Sequence, residues 1–85
     1  MKKNRWPDWW TWEIELSSHL LKRMQDRGYN EVELRAMLQK ADEVRRDIED
    51  GRWIIETMHR RRMWEVVVEP DVDAAVLVVV TAYSV

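Results

Sequence analysis

The stretch VLVVVTAY, residues 76–83, decides the fold of this chain. Every side chain from position 76 to position 80 is apolar, and two alanines precede the stretch. A strand that carries apolar side chains on both faces is typical of the inside of a sheet. The pattern therefore predicts a central strand over residues 74–83, covered on both faces. The turn residues Pro70, Asp71 and Asp73 mark the point where it begins.

Two more strands come directly before this one, at residues 53–59 and 63–69. A short basic link of three arginines separates them, so the two strands are expected to pair as a hairpin. In the second strand Glu65, Val67 and Glu69 share one face, while Trp64 lies on the other.

The N-terminal half of the chain predicts a strand followed by two helices. Apolar and polar residues alternate over residues 10–16, which is the pattern of a half-buried strand. Ser17 or Ser18 can cap a first helix that ends at Gly28. Asn30 and Glu33 have the spacing of a capping box, which opens a second helix over residues 31–40. The acid-rich segment 42–50 fits either a helical extension or a surface loop.

Together these elements predict an α+β fold, in which an N-terminal strand and two helices pack on an antiparallel sheet of about four strands. Residues 1–9 form a Trp-rich, loosely ordered leader, and residues 10–85 form a single domain. The chain has 85 residues, which is enough for one compact core and no more.

Composition excludes several classes of function. The chain has no cysteine, so it has neither a disulfide framework nor a thiolate metal site, which fits a cytoplasmic location. Its longest apolar run, residues 74–80, is too short to span a membrane. Two glycines make no phosphate-binding loop, and His19 and His59 lack the spacing of metal ligands. We therefore expect no cofactor, no metal and no membrane association.

The first candidate site is a ridge on the first helix. His19, Arg23 and Arg27 follow one another at intervals of four residues, so they lie on one face. A histidine beside two guanidinium groups suits phosphate chemistry, because arginine binds phosphate oxygens and histidine transfers protons near neutral pH. The alternative is a solvated basic face that pairs with acids such as Asp26.

The second candidate site is the tip of the predicted hairpin, where His59, Arg60, Arg61 and Arg62 are consecutive. A tip with three arginines can contact an RNA backbone or an acidic partner protein. The alternative is a solubilising turn. Trp53 and Trp64 are nearby and either stack on bases or anchor the core.

The third candidate site is the end of the last strand, where Thr81 and Tyr83 share a face. Their hydroxyl groups can bond a phosphate or orient a substrate if this face opens into a cleft beside the helix ridge. The alternative is a strand-end pair that bonds to the backbone.

Several short motifs occur in an order that resembles a known bacterial domain family. They are SH at residues 18–19, RM at 23–24, RG at 27–28, EL at 33–34, ADEV at 41–44, WEVVVEPD at 64–71 and VVVTAY at 78–83. This order is similar to the SxH…RM…RG…VVTAY pattern of an uncharacterised family that is grouped with RelE-like and barnase-like toxin folds. The resemblance extends from about residue 12 to residue 85.

The resemblance implies a toxin-type endoribonuclease or RNA-binding domain that works without a metal ion. In that case His19 is the base or the acid, Arg23 and Arg27 hold the phosphate, and Tyr83 donates a proton or orients the substrate. The remaining candidates, His59, Arg62 and Thr81 among them, contact the RNA. RNA and a cognate antitoxin protein are then the expected partners.

One property departs from the RelE-like pattern. RelE-type toxins are strongly basic, whereas this chain has a net charge of −2, which weakens its attraction to RNA. The competing interpretation is a non-catalytic protein-interaction module, or a small domain that forms homo-oligomers through its Trp-rich leader.

Overall fold

The computed structural model of this protein describes residues 6–85. The elements, in chain order, are a short 3-10 helix at Asp8–Thr11, β1 at Glu13–Leu16, α1 at Ser18–Arg27, α2 at Glu31–Gln39, β2 at Glu43–Arg46, β3 at Trp53–His59, β4 at Arg62–Asp71 and β5 at Val76–Ser84. Among the described residues, no helix is long and apolar enough to cross a membrane.

The five strands form one mixed sheet in the order β1-β5-β4-β3-β2. β1 runs parallel to β5, and the other neighbouring strands are antiparallel. The prediction of an antiparallel, RelE-like or barnase-like sheet of about four strands is therefore wrong, although the fold is α+β. The additional strand is β2, which lies in the acid-rich segment that the sequence left open. Parallel pairing needs a long connection between the two strands, and the two helices and three strands between β1 and β5 provide it.

Both helices pack on one face of the sheet. The buried side chains of Leu77, Val79 and Ala82 on β5 belong to the same core as Leu20 of α1 and Leu34 of α2. The sheet face that points away from the helices, called here the helix-free face, has no second layer among the described residues. β5 is an inner strand, as predicted, but the expectation that both its faces are covered is met on the helix side only.

A bulge interrupts the pairing of β4 with β5. Val67 lies opposite Thr81 and Val68 lies opposite Val79, so Val80 is an extra residue on β5. Ser17 bonds to the bulged residue. Its hydroxyl group donates to the Val80 carbonyl oxygen at 2.9 Å and accepts from the Leu20 amide at 3.0 Å. One side chain therefore caps α1 and fixes its start against β5.

The loop between the helices follows the sequence prediction. Gly28 has a φ of 71°, in the left-handed region that favours glycine after a helix. Asn30 and Glu33 form the predicted capping box at the start of α2, with hydrogen bonds of 2.9 and 3.0 Å. Both signals are local, so they can be identified without knowledge of the tertiary structure.

Tryptophans from the predicted leader contact the core. Trp9 is buried, and its ring centroid lies 5.6 Å from that of Trp53 on β3. Trp6 of the leader packs against the same core, as does Trp10, the first residue of the predicted domain. The first five residues of the predicted leader lie outside the described residues.

We expect Ser17→Ala to lower the free energy of unfolding by about 1–2 kcal/mol, because it removes a helix cap and a hydrogen bond to β5 together. Ser18→Ala is the matched control. Ser18 is exposed, so its replacement should change stability by no more than about 0.5 kcal/mol. Urea unfolding of both variants measures the difference, and equal effects would contradict the bridging role of Ser17.

Candidate functional site

Four polar side chains on the helix-free face form a continuous hydrogen-bonded group that crosses four strands. The Tyr83 hydroxyl on β5 donates to Oε1 of Glu65 on β4 at 2.8 Å. Nη2 of Arg45 on β2 donates to the other oxygen of Glu65 at 2.7 Å, and Nη1 donates to Glu56 on β3. We call Arg45, Glu56, Glu65 and Tyr83 the sheet-face network.

Strand register brings these residues together. Glu65 lies directly opposite Tyr83 on one side and Glu56 on the other. Side chains that oppose each other across a sheet point to the same face, so the two glutamates are close neighbours of like charge. Such a pair is destabilising by itself, and the Arg45 guanidinium group compensates by bonding to both carboxylates.

The network shifts the pKa of Glu65 and the pKa of Tyr83 in opposite directions. The hydrogen bond from Tyr83 and then that from Arg45 lower the pKa of Glu65 below its usual 4.5. Burial and the adjacent Glu65 raise the pKa of Tyr83 above its usual 10.0. At neutral pH Glu65 is therefore a carboxylate and Tyr83 is a protonated phenol, which are the states needed for a proton acceptor and a proton donor.

The predicted helix ridge lies on the other side of the sheet. His19 is exposed near the start of α1, and Nη1 of Arg23 lies 3.7 Å from a carboxylate oxygen of Asp26. Nη1 of Arg27 donates to the carbonyl oxygen of Ala82 at 2.7 Å, so this guanidinium group anchors α1 to β5.

The strand-end pair and the helix ridge are separated by the sheet. Ala82 is buried beneath the helices, and neighbouring side chains in a strand point to opposite faces. Thr81 and Tyr83 therefore belong to the helix-free face. The structure does not bring them into one cleft with His19 and Arg23.

Two of the four basic residues at the hairpin tip contact other side chains, and the other two are exposed. Nη2 of Arg60 lies 2.6 Å from Oε2 of Glu33, and Nε2 of His59 lies 3.5 Å from the same oxygen. The His59 ring also packs edge-on against Trp64, with ring centroids 5.5 Å apart. His59 and Arg60 thus attach the tip to α2, while Arg61 and Arg62 are exposed.

The turn itself is conformationally strained. Arg60 and Arg61 have φ values of 52° and 66°, in the left-handed region that arginine rarely adopts. Tight two-residue hairpin turns need this backbone shape and favour Asn-Gly for that reason. Two arginines here cost stability, and this cost is consistent with a role for the tip outside folding.

Sequence reasoning missed Arg45, Glu56 and Glu65. The sequence did contain one signal for Glu65. It follows Trp64 on a valine-rich strand, so its side chain was expected on the face away from the core. Arg45 gave no signal, since its strand was not predicted. Among residues 6–85, no cluster of three or more histidine, aspartate or glutamate side chains is placed to hold a metal ion.

The family DUF4258, described as a domain of unknown function, matches residues 16–84 of this chain. The match takes in both helices and every strand except the first part of β1. No curated protein and no solved structure matches the chain.

We expect Tyr83→Phe to raise the pKa of Glu65, because the hydrogen bond from Tyr83 contributes most to lowering it. The carboxyl ¹³C shift of Glu65, followed by NMR during a pH titration, measures this change. Tyr29→Phe is the matched control, since the Tyr29 hydroxyl lies near the Ala82 carbonyl oxygen and not near Glu65.

We also expect Tyr83→Phe to lower the free energy of unfolding by an amount that depends on pH. A carboxyl group whose pKa is lowered by folding stabilises the fold above its unfolded pKa, and this contribution disappears as the pH falls through the folded pKa. The difference in unfolding free energy between the parent and Tyr83→Phe should therefore be largest above about pH 4.5 and should shrink below it. A difference that is constant from neutral to acid pH would contradict the coupling.

Proposed function

The chain belongs to the DUF4258 family, and we propose that it is a toxin-type endoribonuclease that cleaves RNA without a metal ion on its helix-free face. One observation carries this proposal: a phenol, a carboxylate and a guanidinium group lie in a hydrogen-bonded row on an open sheet face. Cleavage of RNA through its own 2′-hydroxyl group needs a base, an acid and a cation, and these three groups supply them. The order of motifs, which resembles that of an uncharacterised bacterial family grouped with toxin folds, also supports it.

In the proposed reaction an RNA phosphate takes the place of the Tyr83–Glu65 hydrogen bond. The Glu65 carboxylate accepts the proton of the 2′-hydroxyl group, and the 2′-oxygen attacks the adjacent phosphorus. The Arg45 guanidinium group stabilises the negative charge that develops on the phosphate oxygens. Tyr83 donates its proton to the departing 5′-oxygen, so the products are a 2′,3′-cyclic phosphate and a 5′-hydroxyl end.

Other predicted contacts fit around this centre. Thr81 lies on the same face as Tyr83, and the exposed Arg61 in the hairpin turn can hold the RNA backbone beyond the cleaved bond. Arg62 lies opposite His59 and two residues before Trp64, so its side chain is on the helix side of the sheet. The earlier expectation that His19 is the base and Arg23 holds the phosphate requires a separate site on the helix side. A cognate antitoxin and a cytoplasmic location complete the proposal.

A second candidate function is a non-catalytic protein-interaction module, and the charge of the helix-free face favours it. Two carboxylates of the network share one guanidinium group, so the face has an excess of negative charge. Met58 and Met63 lie opposite each other near the hairpin tip and are 40% and 45% exposed. Acidic and methionine-rich surfaces suit a basic partner protein better than RNA.

We expect Glu65→Gln to slow RNA cleavage about 10²–10⁴-fold, because glutamine keeps the shape of the side chain but cannot accept the proton. The assay follows the appearance of 2′,3′-cyclic phosphate ends on a labelled RNA in the presence of a metal chelator. Glu69→Gln is the matched control: Glu69 is on the same strand and is ion-paired to Arg52, outside the network. It should cleave like the parent.

The His19→Ala variant separates the two proposed positions of the site. If the helix-free face carries the reaction, His19→Ala cleaves at the parental rate and Glu65→Gln does not. The opposite result would move the site to α1. Absence of cleavage by the parent chain, together with recovery of a basic protein that Glu65→Gln no longer binds, would establish the interaction module instead.

A further inference from the structure

β1 is an edge strand whose outer side has no neighbouring strand among residues 6–85. The Ser17 amide donates to the carbonyl oxygen of Val79 at 3.2 Å, so the backbone of Ser17 faces β5. Backbone groups alternate in direction along a strand, and those of Glu15 and Glu13 therefore also face β5. The amide and carbonyl groups of Ile14 and Leu16 are directed outward, where an added strand can bond to them.

A cavity of about 230 Å³ lies beside this edge, on the helix side of the sheet. Its lining residues are Trp10, Ile14, Arg35, Leu38, Gln39 and Leu77. Ile14 therefore belongs to both features, because its backbone is part of the open edge and its side chain lines the cavity. An added strand lies about 4.8 Å from β1, which places its helix-side residue next to Ile14 and the cavity.

The opposite side of β1 is acidic. Glu13 and Glu15 are exposed and alternate with Ile14 and Leu16, so they flank the helix-free side of any strand that pairs here. Opposite charges on paired strands stabilise the pairing, whereas like charges destabilise it. The edge therefore selects a segment with apolar residues on one face and basic residues on the other.

Two other arrangements are less favourable. A second copy of this chain, paired through the same strand, would bring Glu13 and Glu15 close to the same two glutamates. The second arrangement is binding at the other edge strand of the sheet, β2, which carries Arg45 and Arg46. Arg45 is bonded to two glutamates and Arg46 lies over the Trp53 ring at 5.0 Å, so both side chains already have partners within the sheet.

We propose that β1 is a docking edge for an extended segment of a partner protein with alternating apolar and basic residues. The backbone of the segment bonds to Ile14 and Leu16, and one apolar side chain enters the cavity under Trp10. Its lysine or arginine side chains pair with Glu13 and Glu15. In such complexes the main-chain bonds supply affinity and the pocket supplies specificity. The docking edge is independent of RNA cleavage on the sheet-face network.

The capped peptide acetyl-KVKLKVK-amide is a direct probe of this edge on the full chain. We expect it to slow hydrogen exchange at the Ile14 and Leu16 amides and to shift the Trp10 indole signal in ¹H–¹⁵N spectra. Ile14→Pro removes an outward donor, and edge strands tolerate proline at such a position. It should weaken binding about tenfold or more.

A charge exchange provides a second test that does not alter the strand backbone. The double variant Glu13→Lys, Glu15→Lys should bind acetyl-KVKLKVK-amide about tenfold more weakly and should bind acetyl-EVELEVE-amide better than the parent does. Glu43→Lys, an exposed position on the edge strand β2, is the control and should leave both affinities unchanged.

Three results would overturn the proposal. The first is no binding of the basic peptide to the parent chain. The second is protection at β2 amides in place of Ile14 and Leu16. The third is protection of Ile14 that rises with protein concentration in the absence of peptide, which would identify a second copy of the chain as the occupant.

Discussion

The alternation of side chains along β5, shifted once by the bulge at Val80, is the constraint on which the rest of the structure depends. Leu77, Val79 and Ala82 must be buried, so both helices gather on that face of the sheet. Val80 is an extra residue in β5, so the alternation shifts by one position after Val79 and directs Thr81 and Tyr83 to the opposite face. One strand therefore fixes the position of the core and, at its C-terminal end, presents a phenol where no helix covers it.

Local signals in the sequence were sufficient for most elements of the fold. The capping box at Asn30, the glycine at position 28 and the apolar run of β5 depend on neighbouring residues alone, and the structure contains all three features. The architecture of the sheet depends on distant partners. Glu43–Arg46 has two arginines and a glutamate in four positions, and it is a strand because it pairs with β3.

The candidate site shows the same division between local and distant information. Tyr83 and the arginines of the hairpin tip were identified from their residue types and positions in the sequence. The sequence did not indicate which candidate residues lie together in space. The ridge on α1 and the end of β5 were expected to share a cleft, but the sheet lies between them. Arg45 and Glu56 acquire their importance only from a register that aligns three strands with Glu65. The surfaces described here are thus an open face with a polar network and, at β1, an open edge beside a cavity.

The central proposal is that RNA binds to the helix-free face of the sheet. Its most direct measurement is the ¹H–¹⁵N spectrum of the full chain titrated with a 2′-O-methylated RNA oligonucleotide, which can bind but cannot be cleaved. The account predicts that amide signals shift at Glu65, Thr81 and Tyr83, while those of His19 and Arg23 stay in place. Shifts confined to α1, or no shifts at any oligonucleotide concentration, would contradict it.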